Sequence, residues 1–227
     1  MRPAFLLSVL TFQRFNVPKS VKGVTVIGHP LVQHNLAQLR DKKTRPREFR
    51  RLLGEMASLM IYEATRNFAV KKIFVQTPLA RAEGLQLERE IVLVPVLRAG
   101  LGMLDAILQL IPHARVGFIG LKREETTLQA QFYHKSFPKN LADVEVVLID
   151  PMLATGGSAV AALDLLTEQG AKNVRLVNLV AAPQGVRAVR GKYARVPIFT
   201  AAIDETLNER GFIVPGLGDA GDRLFGT

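Results

Sequence analysis

The chain has no cysteine among its 227 residues. Disulfides and thiolate metal sites are therefore excluded, and the composition suits a reducing compartment such as the cytoplasm. No window approaches the ~18–20 continuous apolar residues of a membrane span. No internal repeat, low-complexity segment or linker interrupts the chain. Acidic residues are scarce at the front: residues 1–51 hold eleven Lys and Arg against two Asp and Glu, and the remainder holds nineteen against eighteen. The formal charge of +10 thus belongs to the front of a nearly neutral body. About 48% of residues are apolar, enough for a sizeable core, and the length suits one large domain better than two small ones.

Arg40, Lys42, Lys43, Arg45, Arg47, Arg50 and Arg51 form the densest basic cluster. It reads either as a surface for a polyanion or as a solvated helix face and loop. Met1 to Phe12 is an apolar stretch behind Arg2. It has the look of a weak signal-peptide core, but Gln13-Arg14-Phe15-Asn16 is wrong for a cleavage site. We expect residues 1–21 to be an N-terminal extension outside the core and residues 22–227 to form one domain.

Helical spacing of Leu31, Asn35, Leu36 and Leu39 predicts a helix over 31–39. Phe49, Leu52, Leu53, Met56, Leu59, Met60 and Tyr62 predict a longer one over 47–68, with Pro46 suited to its first turn. Strands are expected over 72–77, 91–96, 114–120, 144–149, 173–181 and 195–202, and helices up to 110 and over 159–169 and 184–191. Residues 122–142 read as a mobile arm or loop, and the Gly-rich tail from Asn208 as a loop. Continuous apolar strands alternating with helices argue an α/β fold, an open, mostly parallel sheet flanked by helices.

The most informative run is Val146-Val147-Leu148-Ile149-Asp150-Pro151-Met152-Leu153-Ala154-Thr155-Gly156-Gly157-Ser158. It reads as a buried strand, an acid at the strand's carboxyl end, a turn of small residues and a helix start, with Ser158 as the ordinary N-cap if the turn is only a turn. Unpaired N–H groups at a helix start suit a phosphate, and the preceding acid suits sugar hydroxyls. Together they suggest a ribose 5-phosphate. The loop lacks the Walker A and dinucleotide fingerprints. A second strand end, Pro95-Val96-Leu97-Arg98-Ala99-Gly100, offers a guanidinium fork for phosphate oxygens.

These residues resemble the phosphoribosyl-diphosphate (PRPP) motif of type I phosphoribosyltransferases. Most of that class carry two adjacent acids, whereas here Pro151 takes the second place. Asp150 to Ser158 in this form resembles the uracil phosphoribosyltransferase family. So do Leu97-Arg98-Ala99-Gly100-Leu101-Gly102-Met103, His29-Pro30-Leu31-Val32-Gln33-His34, Tyr62-Glu63-Ala64-Thr65 and the tail from Phe212 to Thr227.

The resemblance implies an enzyme that joins uracil to PRPP, giving UMP and diphosphate, with Mg²⁺ as cofactor. PRPP would bind Arg98, Arg123, Asp150, Pro151, Met152, Leu153, Ala154, Thr155, Gly156, Gly157, Ser158 and Asp219. Within that set, Ala154 to Ser158 would hold the 5-phosphate, Asp150 the ribose hydroxyls, and Arg98 and Arg123 the diphosphate. Asp219 would lie near Mg²⁺, reaching it through water while PRPP holds most of it. Ile213 and the backbone of Gly218, Asp219 and Ala220 would form a hood that reads uracil. Arg98, Arg123 and Asp219 would act by charge and positioning, and no residue is assigned as general base. The resemblance also implies a homodimer or homotetramer and a GTP effector, and makes nucleic acid and membrane partners unexpected.

The arm departs from the family at Phe132-Tyr133-His134-Lys135-Ser136-Phe137-Pro138, where the lysine is displaced by one place. Lys135 is given no role, and His134 is expected to be an exposed arm residue rather than a proton carrier. Two other readings remain: an RNA-binding regulator on the same fold, and an enzyme for another base such as orotate. For orotate's carboxylate the hood offers only Arg223 as a cation.

Overall fold

The structure, a computed structural model, describes residues 23–123 and 130–227. The apolar front over 1–21 and Glu124-Glu125-Thr126 lie outside the described residues. Strand β1 (Val24–Val26) leads to helices α1 (Pro30–Arg40) and α2 (Pro46–Ala64), then to strands β2 (Val70–Gln76) and β3 (Arg81–Leu87). Next come β4 (Ile91–Leu97), α3 (Leu101–Leu110), β5 (Arg115–Val116), β6 (Phe118–Arg123) and β7 (Ala130–Ser136). The second half runs β8 (Glu145–Ile149), β9 (Met152–Leu153), α4 (Gly157–Glu168), β10 (Asn173–Ala181), α5 (Pro183–Lys192) and β11 (Ile198–Ile203). The tail holds β12 (Thr206–Leu207), β13 (Ile213–Val214) and α6 (Ala220–Phe225).

The main sheet has the order β1-β11-β10-β8-β4-β6-β7. Every neighbouring pair along it is parallel except β6 with β7. Strand β4 and residues 146–149 of β8 are apolar on both sides because both faces are covered. One buried cluster joins Leu93, Val147 and Val177 to α1, α2 and α3; the other joins Val94, Val146 and Leu176 to α4 and α5. This is the mixed α/β sheet that the sequence predicts. No helix among the described residues is long and apolar enough to cross a membrane.

Local signals explain where elements begin and end. Pro46 occupies the first turn of α2, and Phe49, Leu52, Leu53, Met56, Ala57, Met60 and Ile61 give it one buried face. The helix stops at Ala64, short of the expected residue 68. Thr65 Oγ1 donates back to the Ile61 carbonyl (2.9 Å), and the Ala64 carbonyl accepts from Arg175 instead of a further turn. Phe68 packs flat under the same guanidinium at 4.0 Å.

Several expectations change. The segment expected to be an arm or loop over 122–142 contains β7, antiparallel to β6 with a bulge at Gly120/Leu121. As an edge strand facing solvent, β7 needs no apolar alternation, so its Gln131-Phe132-Tyr133-His134-Lys135 gives no strand signal. The strand expected over 72–77 is β2, and it has an unforeseen antiparallel partner, β3, outside the main sheet. The strand expected over 114–120 divides into β5 and β6. The tail is not all loop, since it holds β13 and α6.

The start of β8 is clasped to both neighbours. Glu145 is buried and meets Arg89, just ahead of β4, at 3.1 Å and Arg175 of β10 at 3.2 Å. Removing the carboxylate would leave the Arg175 cation, 13% exposed, without its counter-charge. Glu145→Ala should therefore lower stability by about 3 kcal/mol, read as a lower urea midpoint with an unchanged slope.

Candidate active site

The carboxyl ends of β4 and β8 lie side by side, with Pro95 opposite Ile149. In open α/β sheets this is where ligands bind. Beyond β4 comes Arg98, reached through a cis Leu97–Arg98 peptide. Beyond β8 comes Asp150. The two loops touch backbone to backbone: a Cβ on Gly100 would sit 2.7 Å from the carbonyl oxygens of Ile149 and Val96. Only glycine fits that approach.

Asp150 is partly exposed, with Met152 N–H 3.5 Å from its Oδ1. Burial among the strand ends pushes its carboxyl up to about 7, opposed by that backbone N–H. Its side chain is therefore poised between the neutral and charged forms near neutrality.

The small-residue turn follows. Gly156 has φ +88°, and a Cβ there would meet Ala188 Cβ at 2.7 Å and the Gly185 carbonyl at 3.0 Å. The N-cap is Gly156 and not Ser158, because α4 starts two residues earlier than expected. The first intrahelical bond is Val160 N to the Gly156 carbonyl, 2.9 Å. The N–H groups of Ser158 and Ala159 thus face out of the helix start, and no acid stands in that turn to fill the place of an anion. Helix α5 braces the loop from behind. Gly185 lies so close that a Cβ would be 2.6 Å from the carbonyls of Leu153 and Ala154.

Arg98 is 58% exposed. Its Nη2 lies 3.5 Å from Asp222 Oδ1, and its guanidinium stands 5.8 Å from the centre of the Phe225 ring. Both contacts are with α6, so the tail and the Arg98 loop share one cleft rim. Asp219 N-caps α6, its Oδ1 accepting from Asp222 N (2.9 Å). Gly218 has φ +79° and is exposed beside it, whereas Ile213 and Ala220 are buried in the core. Arg123 ends β6, next to β4 on the same side of the sheet, but its side chain lies outside the described residues. His134 and Lys135 sit exposed on β7, with Lys135 Nζ 4.3 Å above the Phe132 ring. Among the described residues no group of three or more His, Asp or Glu could hold a metal.

Sequence reasoning missed what fastens the tail. Arg40 pairs bidentately with Asp204 (2.6 and 2.7 Å) and also donates to the Gly216 carbonyl (2.9 Å). Asp204 is 7% exposed and accepts from Gly216 N at 2.8 Å as well. Arg50 donates to the Leu224 carbonyl, 2.7 Å. Arg223 turns away from the cleft, donating to the carbonyls of Leu39, Leu217 (2.9 Å) and Asp41 (2.6 Å), and lies 4.6 Å over Phe49. It is therefore not the free cation that an orotate carboxylate would need. Part of the basic front cluster likewise serves internal contacts: Arg40 and Arg50 bind the tail, and Arg51 pairs with Glu48 and Glu55. Only the residue types were visible beforehand.

With this geometry in hand, comparison with known proteins is informative. The family model described as uracil phosphoribosyltransferase matches residues 26–227. A protein named uracil phosphoribosyltransferase from Dictyoglomus turgidum is 52% identical over 205 residues, covering 90% of this chain and 99% of its own. One of the same name from Symbiobacterium thermophilum is 54% identical over 205 residues, covering 90% and 98%. The solved structure of the AQ2163 protein from Aquifex aeolicus is 39% identical with a TM-score of 0.85, covering 89% of this chain and 97% of that one. Adenine phosphoribosyltransferase from Leishmania donovani, 13% identical with a TM-score of 0.57, covers 82% and 86% and shares the fold.

The raised Asp150 carboxyl has a measurable consequence. Its folded value of about 7 lies above the ordinary 3.8, so the folded state holds the proton more tightly. The resulting stability is full below about pH 4 and is lost as pH rises through 7. Relative to Asp150→Asn, the parent chain should lose stability between pH 4 and 7 and show no further divergence above 8, measured by urea unfolding across that range.

Proposed function

This chain belongs to the uracil phosphoribosyltransferase family, and on that footing we propose how its cleft moves the 5-phosphoribosyl group of PRPP onto N1 of uracil, releasing diphosphate and UMP. One observation carries the proposal: a small-residue helix start, a strand-end carboxylate and an exposed strand-end arginine lie at the carboxyl ends of adjacent parallel strands, with the arginine against the tail. Each matches one part of PRPP.

The 5-phosphate fits the N–H groups at the start of α4, where the helix dipole favours an anion. Asp150 meets the ribose hydroxyls. Arg98 gives up its 3.5 Å contact with Asp222 and turns to the diphosphate. Arg123 approaches from the end of β6. Uracil is read by the backbone of Gly218 to Ala220 and walled by Ile213. Its edge alternates C=O and N–H groups, so backbone groups can pair it and reject a base that leaves them unpaired. Mg²⁺ bound to PRPP supplies charge neutralisation on the diphosphate. Asp219, an exposed carboxylate, would hold such an ion through water, the manner of binding usual for Mg²⁺. Catalysis then rests on holding N1 in line behind C1 and stabilising the leaving diphosphate.

Residues 22–227 act as one domain in this reading, and the enzyme works in the cytoplasm, which the cysteine-free composition supports. A homo-oligomer with a GTP effector completes it.

Purified protein should form UMP from uracil, PRPP and Mg²⁺ but not use orotate or hypoxanthine, and turnover of either instead of uracil would overturn the substrate reading. Arg98→Ala should lower kcat/KM for PRPP roughly a hundredfold. Asp204→Ala, which unfastens Gly216, should raise the uracil KM about tenfold and the PRPP KM much less. Assays with and without GTP, beside the mass in solution, test the effector and the assembly.

A further inference from the structure

Asn178 on β10 has no role in the reading above. It is fully buried, with 0% exposure, in the layer between the sheet and α4/α5. Its Nδ2 donates to the Asp150 carbonyl at 2.6 Å, and its Oδ1 is buried with no partner among the described residues. An apolar residue would pack there without an unpaired acceptor of its own. The amide is therefore poor economy for packing alone.

The ladder explains what it does. The pairing of β8 with β10 runs regularly to Ile149↔Val177, where Asp150 N donates to the Val177 carbonyl at 3.2 Å. A continuing parallel ladder would next give the Asp150 carbonyl to Leu179 N–H. Instead the N–H groups of Leu179 and Val180 both go to the Pro151 carbonyl, at 2.9 and 3.2 Å. Pairing resumes at Met152↔Val180, three residues on along each strand rather than two, so both strands change face at this point. The irregularity leaves the Asp150 carbonyl without a backbone donor. A carbonyl orphaned this way must find a side chain or water, and among the described residues Asn178 supplies its hydrogen bond.

We infer that Asn178 is a positioning residue for PRPP binding: its amide holds the Asp150 peptide plane at the break in the β8–β10 ladder and so fixes where the Asp150 carboxylate meets the ribose hydroxyls. The inference rests on Asp150 binding the ribose, and the experiment separates the two.

Four proteins suffice: the parent, Asn178→Leu, Asp150→Asn and the double variant, each assayed for the KM of PRPP and of uracil and for thermal unfolding. Asn178→Leu should raise the PRPP KM about tenfold and leave the uracil KM within about twofold. Its melting temperature should stay near the parent's, because it trades one unpaired acceptor for another. If Asn178 works through Asp150, adding Asn178→Leu to Asp150→Asn should cost little more than Asp150→Asn alone. Additive losses, or a uracil KM that rises in step, would overturn the positioning role. A normal PRPP KM in Asp150→Asn would instead overturn the ribose assignment. If Asn178→Leu fails to fold, Asn178→Thr keeps a hydroxyl donor on a residue suited to strands. It should show a smaller rise in the PRPP KM, and an unchanged uracil KM; equal rises in both would sink the inference.

Discussion

The backbone contact between Gly100 and the Ile149 carbonyl sets the geometry on which the rest of the cleft depends. Parallel strands bring their carboxyl ends to one edge, but that alone leaves two loops with a gap of unspecified width. A Cβ at residue 100 would lie 2.7 Å from two backbone oxygens, so the spacing is set by atoms that cannot rotate away. Gly185 repeats the device one layer back, pressing α5 against Leu153 and Ala154. The Asp150 strand end and the small-residue turn therefore stand on rigid elements rather than on long loops, which suits a site that works by positioning.

The tail is held by charge as well as by the burial of Ile213, Leu217, Ala220 and Leu224 in the core. Arg40, Arg50 and Arg223 cross from α1, α2 and α6 to carbonyls and one buried carboxylate around Gly216, Leu217 and Leu224. The bidentate Arg40–Asp204 pair, with Asp204 almost buried, is the strongest of these contacts in kind. These bonds give the hood a fixed seat over the cleft without an apolar core of its own. Arg98, by contrast, makes one loose ion pair among the described residues and remains mostly exposed, so its guanidinium is not committed to a buried partner.

Much of this was legible beforehand. The apolar runs 91–96 and 144–149 needed both faces covered, so they could be read as central strands, and Asp150 with its small-residue turn could be read as a sugar-phosphate loop. Pro151 pointed to one family by displacing an acid. What escaped were features whose signal lies in a distant partner. Strand β7 is an edge strand of mixed polar residues, β3 is mostly exposed, and β1 is three residues long with its pairing to β11 supplied from 174 positions away. Where they alternate at all, as in Val24-Thr25-Val26 and Leu85-Gln86-Leu87, the run is too short to read as a strand.

By itself the sequence determined the fold class and the family, because apolar periodicity and local turn chemistry are written in neighbouring residues. The tertiary structure decided which arginines are spoken for. Arg223 and Arg98 are the same residue type, both close to glycines, yet the first is bound to the Leu39 carbonyl, 184 positions away, and the second faces the cleft. It also decided that Asp150 rests on Asn178. A side chain's charge is local information, but its direction depends on which carbonyl the folded chain leaves unpaired beside it.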